Sequence, residues 1–153
     1  MSRVAESRST SPLWALRVLI AGGLFTSAVI HLQLAPGYQQ AAPGGIGQGN
    51  LFRIQAAVAI LSGLYVLIRG SRPAYLVAAL VALSAFAAII LYRYVQLPAI
   101  GPIPSMYEPV WFTAKVVTAA VEGVAGILSI TGYILLRRAG RAGAGTPAPA
   151  SAH

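Results

Sequence analysis

The sequence predicts an all-α fold: a transmembrane four-helix bundle with its N- and C-termini in the cytoplasm. Three observations predict it. Hydrophobic residues make up 57% of the 153 positions and charged residues only 9%, against about 25% charged in a soluble domain. The apolar residues gather in four runs, each close to the roughly 20 residues a helix needs to cross a hydrocarbon core of about 30 Å. The Lys and Arg residues sit at alternate junctions between those runs, which is the pattern of the positive-inside rule.

Residues 1–13 form a polar, basic flank, "SRVAESRSTS" at its centre. The first span follows at about 14–34, "WALRVLIAGGLFTSAVIHLQL". Its basic flank is that of a signal peptide, but the apolar run is long and no small-x-small cleavage site follows, so it reads as an uncleaved anchor. The second span, about 51–68, lies between Arg53 and Arg69, which are expected to snorkel to opposite interfaces. The third covers about 74–97 and the fourth about 110–136. Together they make one domain, 14–136, and the Gly- and Ala-rich remainder, 137–153, reads as a disordered cytoplasmic tail.

Orientation follows from the charges. Arg3, Arg8 and Arg17 precede or open the first span, Arg69 and Arg72 join the second to the third, and Arg137, Arg138 and Arg141 follow the fourth. Loops 35–50 and 98–109 contain no Lys or Arg. The termini are therefore expected in the cytoplasm and both longer loops outside, in a multi-pass protein of a cell membrane of the bacterial inner-membrane type. Aromatic residues fit the two levels. Trp14, Tyr65, Tyr75 and Tyr133 are placed near the inner interface, and Phe52, Tyr92, Tyr94, Tyr107, Trp111 and Phe112 near the outer one.

The composition also excludes. The net charge of +8 is not a nucleic-acid footprint, because the basic residues cap apolar runs and do not share a face. With no Cys, there is no disulfide, iron–sulfur cluster or Cys-ligated zinc. His31 and His153 are the only histidines, so no multi-His metal site forms within one chain, and a bis-His haem would need His31 from two protomers. No cofactor is predicted outright; a quinone or a haem belongs only to the ligand-binding alternative below. The glycines of "APGYQQAAPGGIGQGN" are not followed by Gly-Lys-Ser/Thr, so this loop is no phosphate loop and reads as mobile or irregular. In "PAIGPIPSMYEP" the prolines 98, 102, 104 and 109 forbid a continuous helix, leaving either a stiff cap over the outer mouth or a plain linker.

The chemistry-bearing residues concentrate in one half of the bundle. In "FTAKVVTAAVEG", helical spacing puts Lys115, Thr118, Glu122, Gly126 and Ser129 on one stripe, with Val116, Val117, Val121, Val124, Ile127 and Leu128 elsewhere. Measured from Val110, Lys115 lies roughly 7 Å deep and Glu122 roughly 18 Å deep. Lys115 can reach the headgroups. Glu122 needs a partner, a proton or a watery crevice, because a lipid-facing charge at mid-membrane costs about 2.5–3.5 kcal/mol or more. The two are about 10 Å apart along the axis, so Thr118 or a water is expected to bridge them. His31, Arg53, Gln55, Arg93 with Gln96, and Glu108 fall in the same outer half, which suggests an outward-facing polar vestibule with Glu122 at its floor. Each has a plainer reading: snorkelling for Arg53 and Arg93, interhelical hydrogen bonding for His31, Gln55 and Glu122. Gly22, Gly23, Ala28, Ala56, Ala59, Gly63, Ala119, Gly123 and Gly126 are expected to let the helices approach.

Arg17, Gly22, Phe25 and His31 in "LRVLIAGGLFTSAVIHL" resemble the opening helix of DoxX-type four-span membrane proteins, a broad group with some quinone-linked redox members. The resemblance covers one span. It implies the architecture and transfers no catalytic residue: the second span has no acid, and the intramembrane Glu is in the fourth. Two functions fit the whole chain. The first is an accessory or scaffold subunit, not an enzyme, whose partners are the lipid bilayer and other membrane subunits or further copies of itself. The alternative is binding of a small polar or amphipathic, quinone-like ligand, or proton transfer, through Glu122, Lys115 and His31. Ser27, Ser62, Ser84, Ser105 and Ser129 show no base in register, which argues against a hydrolase.

Overall fold

In a computed structural model, which describes residues 11–144, the chain forms four helices. They are α1 (Ser11–Ala41), α2 (Gln48–Arg69), α3 (Arg72–Tyr94) and α4 (Thr113–Ala144). All four are long and apolar enough to cross a membrane; the shortest, at 22 residues, spans about 33 Å. The protein is a multi-pass membrane bundle. Its helices run up and down in chain order around a ring, α1 packing most closely on α2, then α3 on α4 and α4 on α1, with α2 and α3 the least closely packed neighbours.

Where the helices stop is set by local chemistry. Gly70 ends α2 in the left-handed region (φ 49°), and its N–H is bonded to the Val66 carbonyl at 2.9 Å. A side chain there would also strike the Arg17 guanidinium. Ser71 then takes an extended conformation as N-cap of α3, with Pro73 in the first turn, where a missing N–H costs no helical bond. Two residues thus join α2 to α3. At the other end, α3 stops at Tyr94, short of the expected 97, because Val95 turns extended before Pro98.

Two segments are more regular than the sequence suggests. The first loop is not irregular throughout 35–50. α1 continues through Pro36 to Ala41, and only residues 42–47 link it to α2. Glycine makes this extension fit: a Cβ at Gly49 would meet the Ala35 carbonyl at 2.2 Å, so α2 can start hard against the end of α1. Gln39 Oε1 accepts the Asn50 N–H at 3.0 Å across the same contact. Likewise α4 runs past the expected 136, and the predicted tail is helical as far as Ala144. Residues 1–10 of the N-terminal flank and 145–153 of the tail lie outside the described residues.

The second loop, 95–112, is a folded cap. Ile100 and Ile103 exchange both backbone hydrogen bonds (2.9 and 3.0 Å) around Gly101, whose φ is +56°. Ile46 of the first loop donates to the Pro102 carbonyl at 2.8 Å, Glu108 N–H returns to the Tyr92 carbonyl at 3.0 Å, and Ser105 Oγ donates to the Leu97 carbonyl at 2.8 Å. The two loops therefore close one end of the bundle, the capped end.

The core is built from small residues. Ala21, Ala28, Ala56, Ala59, Ala78, Ala82 and Ala125 are buried between helices, with Ile20, Leu24, Val66 and Tyr75 filling the spaces. Glycines receive larger neighbours: a Cβ at Gly63 would meet Phe25, at Gly126 Leu83, and at Gly132 Tyr75. Lipid tails are as apolar as leucine, so such close fits, not hydrophobicity, hold membrane helices together. The large aliphatics point outward instead; Leu19, Leu61, Ile68, Leu80 and Ile127 are each more than 60% exposed. Two expectations change here. Gly22 faces outward with no atom near its missing Cβ, so it is not a packing glycine. Tyr75 is fully buried, so it is a plug against Gly132 and not an interfacial anchor.

Candidate functional site

The stripe on α4 turns inward as a unit. Lys115, Thr118, Glu122, Gly126 and Ser129 are all buried, while Val116, Val117, Val124 and Ile127 are exposed. The periodicity that placed the polar residues on one face thus also puts that face against the other helices.

Glu122 is the most deeply buried ionisable group of the site, 1% exposed. Its Oε1 accepts a 2.6 Å hydrogen bond from Ser27 Oγ of α1, and its Oε2 has no partner. Ser27 sits one helical turn before His31, whose Nδ1 lies 2.9 Å from the Ser27 carbonyl and 3.3 Å from Ser27 Oγ. The shorter contact assigns the Nδ1 proton to the carbonyl, which leaves Nε2 as the ring nitrogen free to act as acceptor. The result is a chain of contacts from Glu122 through Ser27 to His31. Serine, histidine and acid come together, but not as a nucleophilic triad. Such a triad needs the serine proton to face the imidazole and the acid to hold the far ring nitrogen. Here the serine proton is given to the acid, and Ser27 is fully buried.

Lys115 does not meet Glu122. Its Nζ donates to the Glu108 backbone carbonyl in the cap and lies 5.7 Å from the centre of the Trp111 ring. Thr118 does not bridge them either; its hydroxyl donates to the Ala114 carbonyl at 2.8 Å. The expected Lys–Glu link is absent because each has a nearer partner: a backbone oxygen of the cap for the lysine, and a serine on α1 for the acid.

Between the four helices, beneath the cap, lies a cavity of about 240 Å³. Its polar wall comes from His31 and Tyr38 of α1, Gln48 and Gln55 of α2, Glu108 of the cap, and Lys115 and Thr118 of α4. α3 makes the room by presenting Ser84, Ala85 and Ala88 where a larger side chain would close it. Phe52 forms one side, stacked edge-on to His31 (centroids 5.1 Å apart) and tilted against Tyr38 (4.8 Å). Glu108 is tied in place: Tyr38 Oη donates to its Oε2 at 3.4 Å, and Val110 N–H to its Oε1 at 3.3 Å. Gln55 Nε2 is buried without a partner.

Of the residues singled out in the sequence, His31, Gln55, Glu108, Lys115 and Thr118 line this cavity. Glu122 is not its floor; it lies one turn beyond Thr118 and is occupied with Ser27. Arg53 is exposed and donates to Asn50 Oδ1 at 2.7 Å, and Arg93 packs its guanidinium over Tyr94 (4.9 Å) and Trp111 (5.9 Å). Neither lines the cavity. Sequence reasoning missed Ser27, Tyr38 and Gln48. Ser27 was within reach, since it precedes His31 by four positions and so shares its face; Tyr38 and Gln48 fell in a stretch read as loop. Among the described residues no group of three His, Asp or Glu stands close enough to hold a metal ion. No family model, curated protein or solved structure matches this chain.

Proposed function

We propose that this chain is a multi-pass protein of a bacterial-type inner membrane that binds the head group of a small amphipathic, quinone-like molecule in the cavity under its cap. One observation carries the reading: a cavity with mostly apolar walls inside an otherwise alanine-packed bundle holds a cluster of polar side chains, among them Gln55, whose amide Nε2 is buried beside it with no partner. Leaving a buried donor unpaired costs about 1–3 kcal/mol, and a ligand oxygen met by a turn of the amide toward the cavity would remove that cost. Lys115 and Gln55 suit acceptor oxygens, Glu108 and His31 suit hydroxyls, and Phe52 offers a flat apolar wall. A benzoquinone-type head meets the donors and the flat wall, and its quinol or another phenolic head meets the acceptors as well. The positive-inside pattern supports placing the termini in the cytoplasm and the cap outside.

A scaffold role is favoured for one residue by a specific observation. Glu122 stands outside the cavity and joins α1 to α4 through Ser27, which is what a helix-ordering contact does. The two roles coexist in one chain.

The test is purification in mild detergent, followed by mass analysis of the organic extract and of co-purifying proteins. The expected result is one quinone-like or phenolic amphipath near stoichiometric amount, lost from Gln55→Leu. Bulk phospholipid alone, or a stoichiometric protein partner with no small molecule, overturns the binding reading in favour of the accessory subunit. Orientation has its own test: the chain lacks Cys, so Gln40→Cys, at an exposed position, should react with an impermeant thiol reagent from outside intact cells.

A further inference from the structure

We infer that the head group reaches the cavity sideways from the bilayer, through the seam between α2 and α3, and that the molecule keeps an aliphatic tail lying in that seam. This rests on the binding reading above and adds the ligand's class, a membrane-dissolved molecule with a tail, and its route.

Three observations point there. The first is size. A cavity of about 240 Å³ falls short of the ~300–1,000 Å³ that encloses a whole drug-sized ligand, so it takes a head and leaves the rest outside. The second is continuity. Leu51, Ser84, Ala88, Tyr92 and Met106 line both the cavity and an open apolar groove on the outer face of α3, bordered by Leu51 at the start of α2 and by Ile103 and Met106 of the cap. One wall of the cavity is therefore also one wall of a surface groove, which runs on past Ala87, Leu91 and Ile103. The third is packing. α2 and α3 are the least closely packed pair. The Gly70–Ser71 link holds them together at the opposite end, so the slack falls at the capped end, beside the cavity. The small side chains of Ser84, Ala87 and Ala88 keep the gap from being filled. Access from above is obstructed, because the cap is bonded to both the first loop and α3.

A tail in this groove exchanges lipid for helix surface of equal apolarity, so it adds little affinity. The seam supplies a route and fixes where the tail lies. Location is therefore the quantity to measure.

The full chain in lipid nanodiscs is irradiated with a fully ring-substituted 1,4-benzoquinone whose aliphatic tail carries a diazirine, and the cross-linked residues are mapped by mass spectrometry. The expected result is labelling concentrated at the α2–α3 groove, around Ala87, Leu91 and Ile103, and abolished by excess tail-less quinone. Ala87→Trp, a change on the exposed face of α3 that fills the groove without entering the cavity, should displace the tail into lipid and cut that labelling about tenfold, equivalent to ~1.4 kcal/mol. Ala88→Leu, a smaller plug at the shared wall, should act in the same direction. Leu61→Trp, on lipid-facing α2 away from the seam, should leave labelling unchanged. Labelling spread evenly around the bundle, or concentrated on the α1–α4 side, overturns the lateral route even when the tail-less quinone competes. Failure of the tail-less quinone to compete overturns the head-group reading and this inference with it.

Discussion

Among the described residues, the Ser27–Glu122 contact is the one hydrogen bond between side chains of two helices, and its strength can be estimated before it is measured. Ser27 is fully buried and Glu122 is 1% exposed. At 2.6 Å the bond is short, and Ser27 Oγ is the sole protein partner of the carboxyl group, since Oε2 has none. Ser27→Ala removes it, leaves both carboxyl oxygens without a protein partner, and opens only a hydroxyl-sized gap. Interhelical hydrogen bonds in membranes average about 0.6 kcal/mol and reach about 1.7 kcal/mol, while stranding a buried polar group costs about 1–3 kcal/mol. Ser27→Ala should therefore destabilise the bundle by about 1.5 kcal/mol, toward the upper end of the membrane range. Glu122→Gln keeps the accepting oxygen and should cost less, under about 1 kcal/mol.

The assay is a double-mutant cycle over Ser27→Ala and Glu122→Gln, extended with Glu122→Leu, which has no acceptor. Unfolding is driven by sodium dodecyl sulfate in mixed micelles and followed by tryptophan fluorescence, with Trp14→Phe in all chains so that the signal comes from Trp111, which lies in the cap beside Arg93 and Lys115. The expected coupling between Ser27→Ala and Glu122→Leu is about 1 kcal/mol. Additivity within about 0.3 kcal/mol would mean that the contact contributes nothing. The argument that Glu122 is held for helix order would then be refuted.

Four further outcomes follow from the glycines. Gly22→Ala should stabilise by about 0.5–1 kcal/mol, because the helix gains and nothing lies near the new methyl, whereas Gly63→Ala puts a methyl 2.6 Å from Phe25 Cε1 and should cost about 1–3 kcal/mol; paired unfolding titrations check both. Gly70→Ala, at φ +49° and against the Arg17 guanidinium, should lower stability by about 1–2 kcal/mol, and Arg17→Ala in the same chain should recover part of the loss. Gly45→Ala adds a Cβ 2.2 Å from the Pro102 carbonyl oxygen at φ +62°, so it should part the two loops and speed protease cleavage within 95–112 while leaving the helical circular dichroism unchanged.

Much of the architecture was readable because a bilayer imposes it. Four apolar runs had to be helices, since no other open-chain element satisfies its own backbone there, and the α4 stripe had to turn inward because lipid does not solvate Lys115 or Glu122. Helix ends were harder. Pro36, Gly37 and the glycines at 44, 45, 47 and 49 look like loop by composition, yet Gly49 is what lets α1 continue to Ala41 against α2. A glycine that permits close approach and one that ends a helix are the same letter. Apart from the i, i+4 pairing of Ser27 with His31, the partners of the polar residues were not readable. Lys115 and Glu122 share a stripe, but a stripe fixes direction and not contact, and their bonds go to Glu108 and Ser27, on two other elements. The cavity depends on an absence of bulk at Ser84, Ala85 and Ala88, three small residues in a chain full of them.

Gln55 separates the two explanations of the polar wall. Were it there to hold helices, its amide would be bonded across the bundle, and replacing it would strand the partner. The structure instead leaves Nε2 buried and unpaired. Deleting an unsatisfied donor in favour of an apolar group of similar shape is neutral or stabilising, by up to about 1–3 kcal/mol, because nothing else loses a bond. Gln55→Leu should therefore leave the ligand-free bundle at least as stable as the parent chain in the same detergent titration. In the parent, adding the tail-less benzoquinone should raise the unfolding midpoint, since binding to the folded state alone stabilises by about 2.7 kcal/mol at a hundred times Kd. In Gln55→Leu that rise should vanish. A residue kept at a cost to the empty protein and recovered only with a bound molecule is a binding residue. If Gln55→Leu instead unfolds at markedly lower detergent with no molecule added, the glutamine is helix glue, and the case for the cavity as a binding site loses its support.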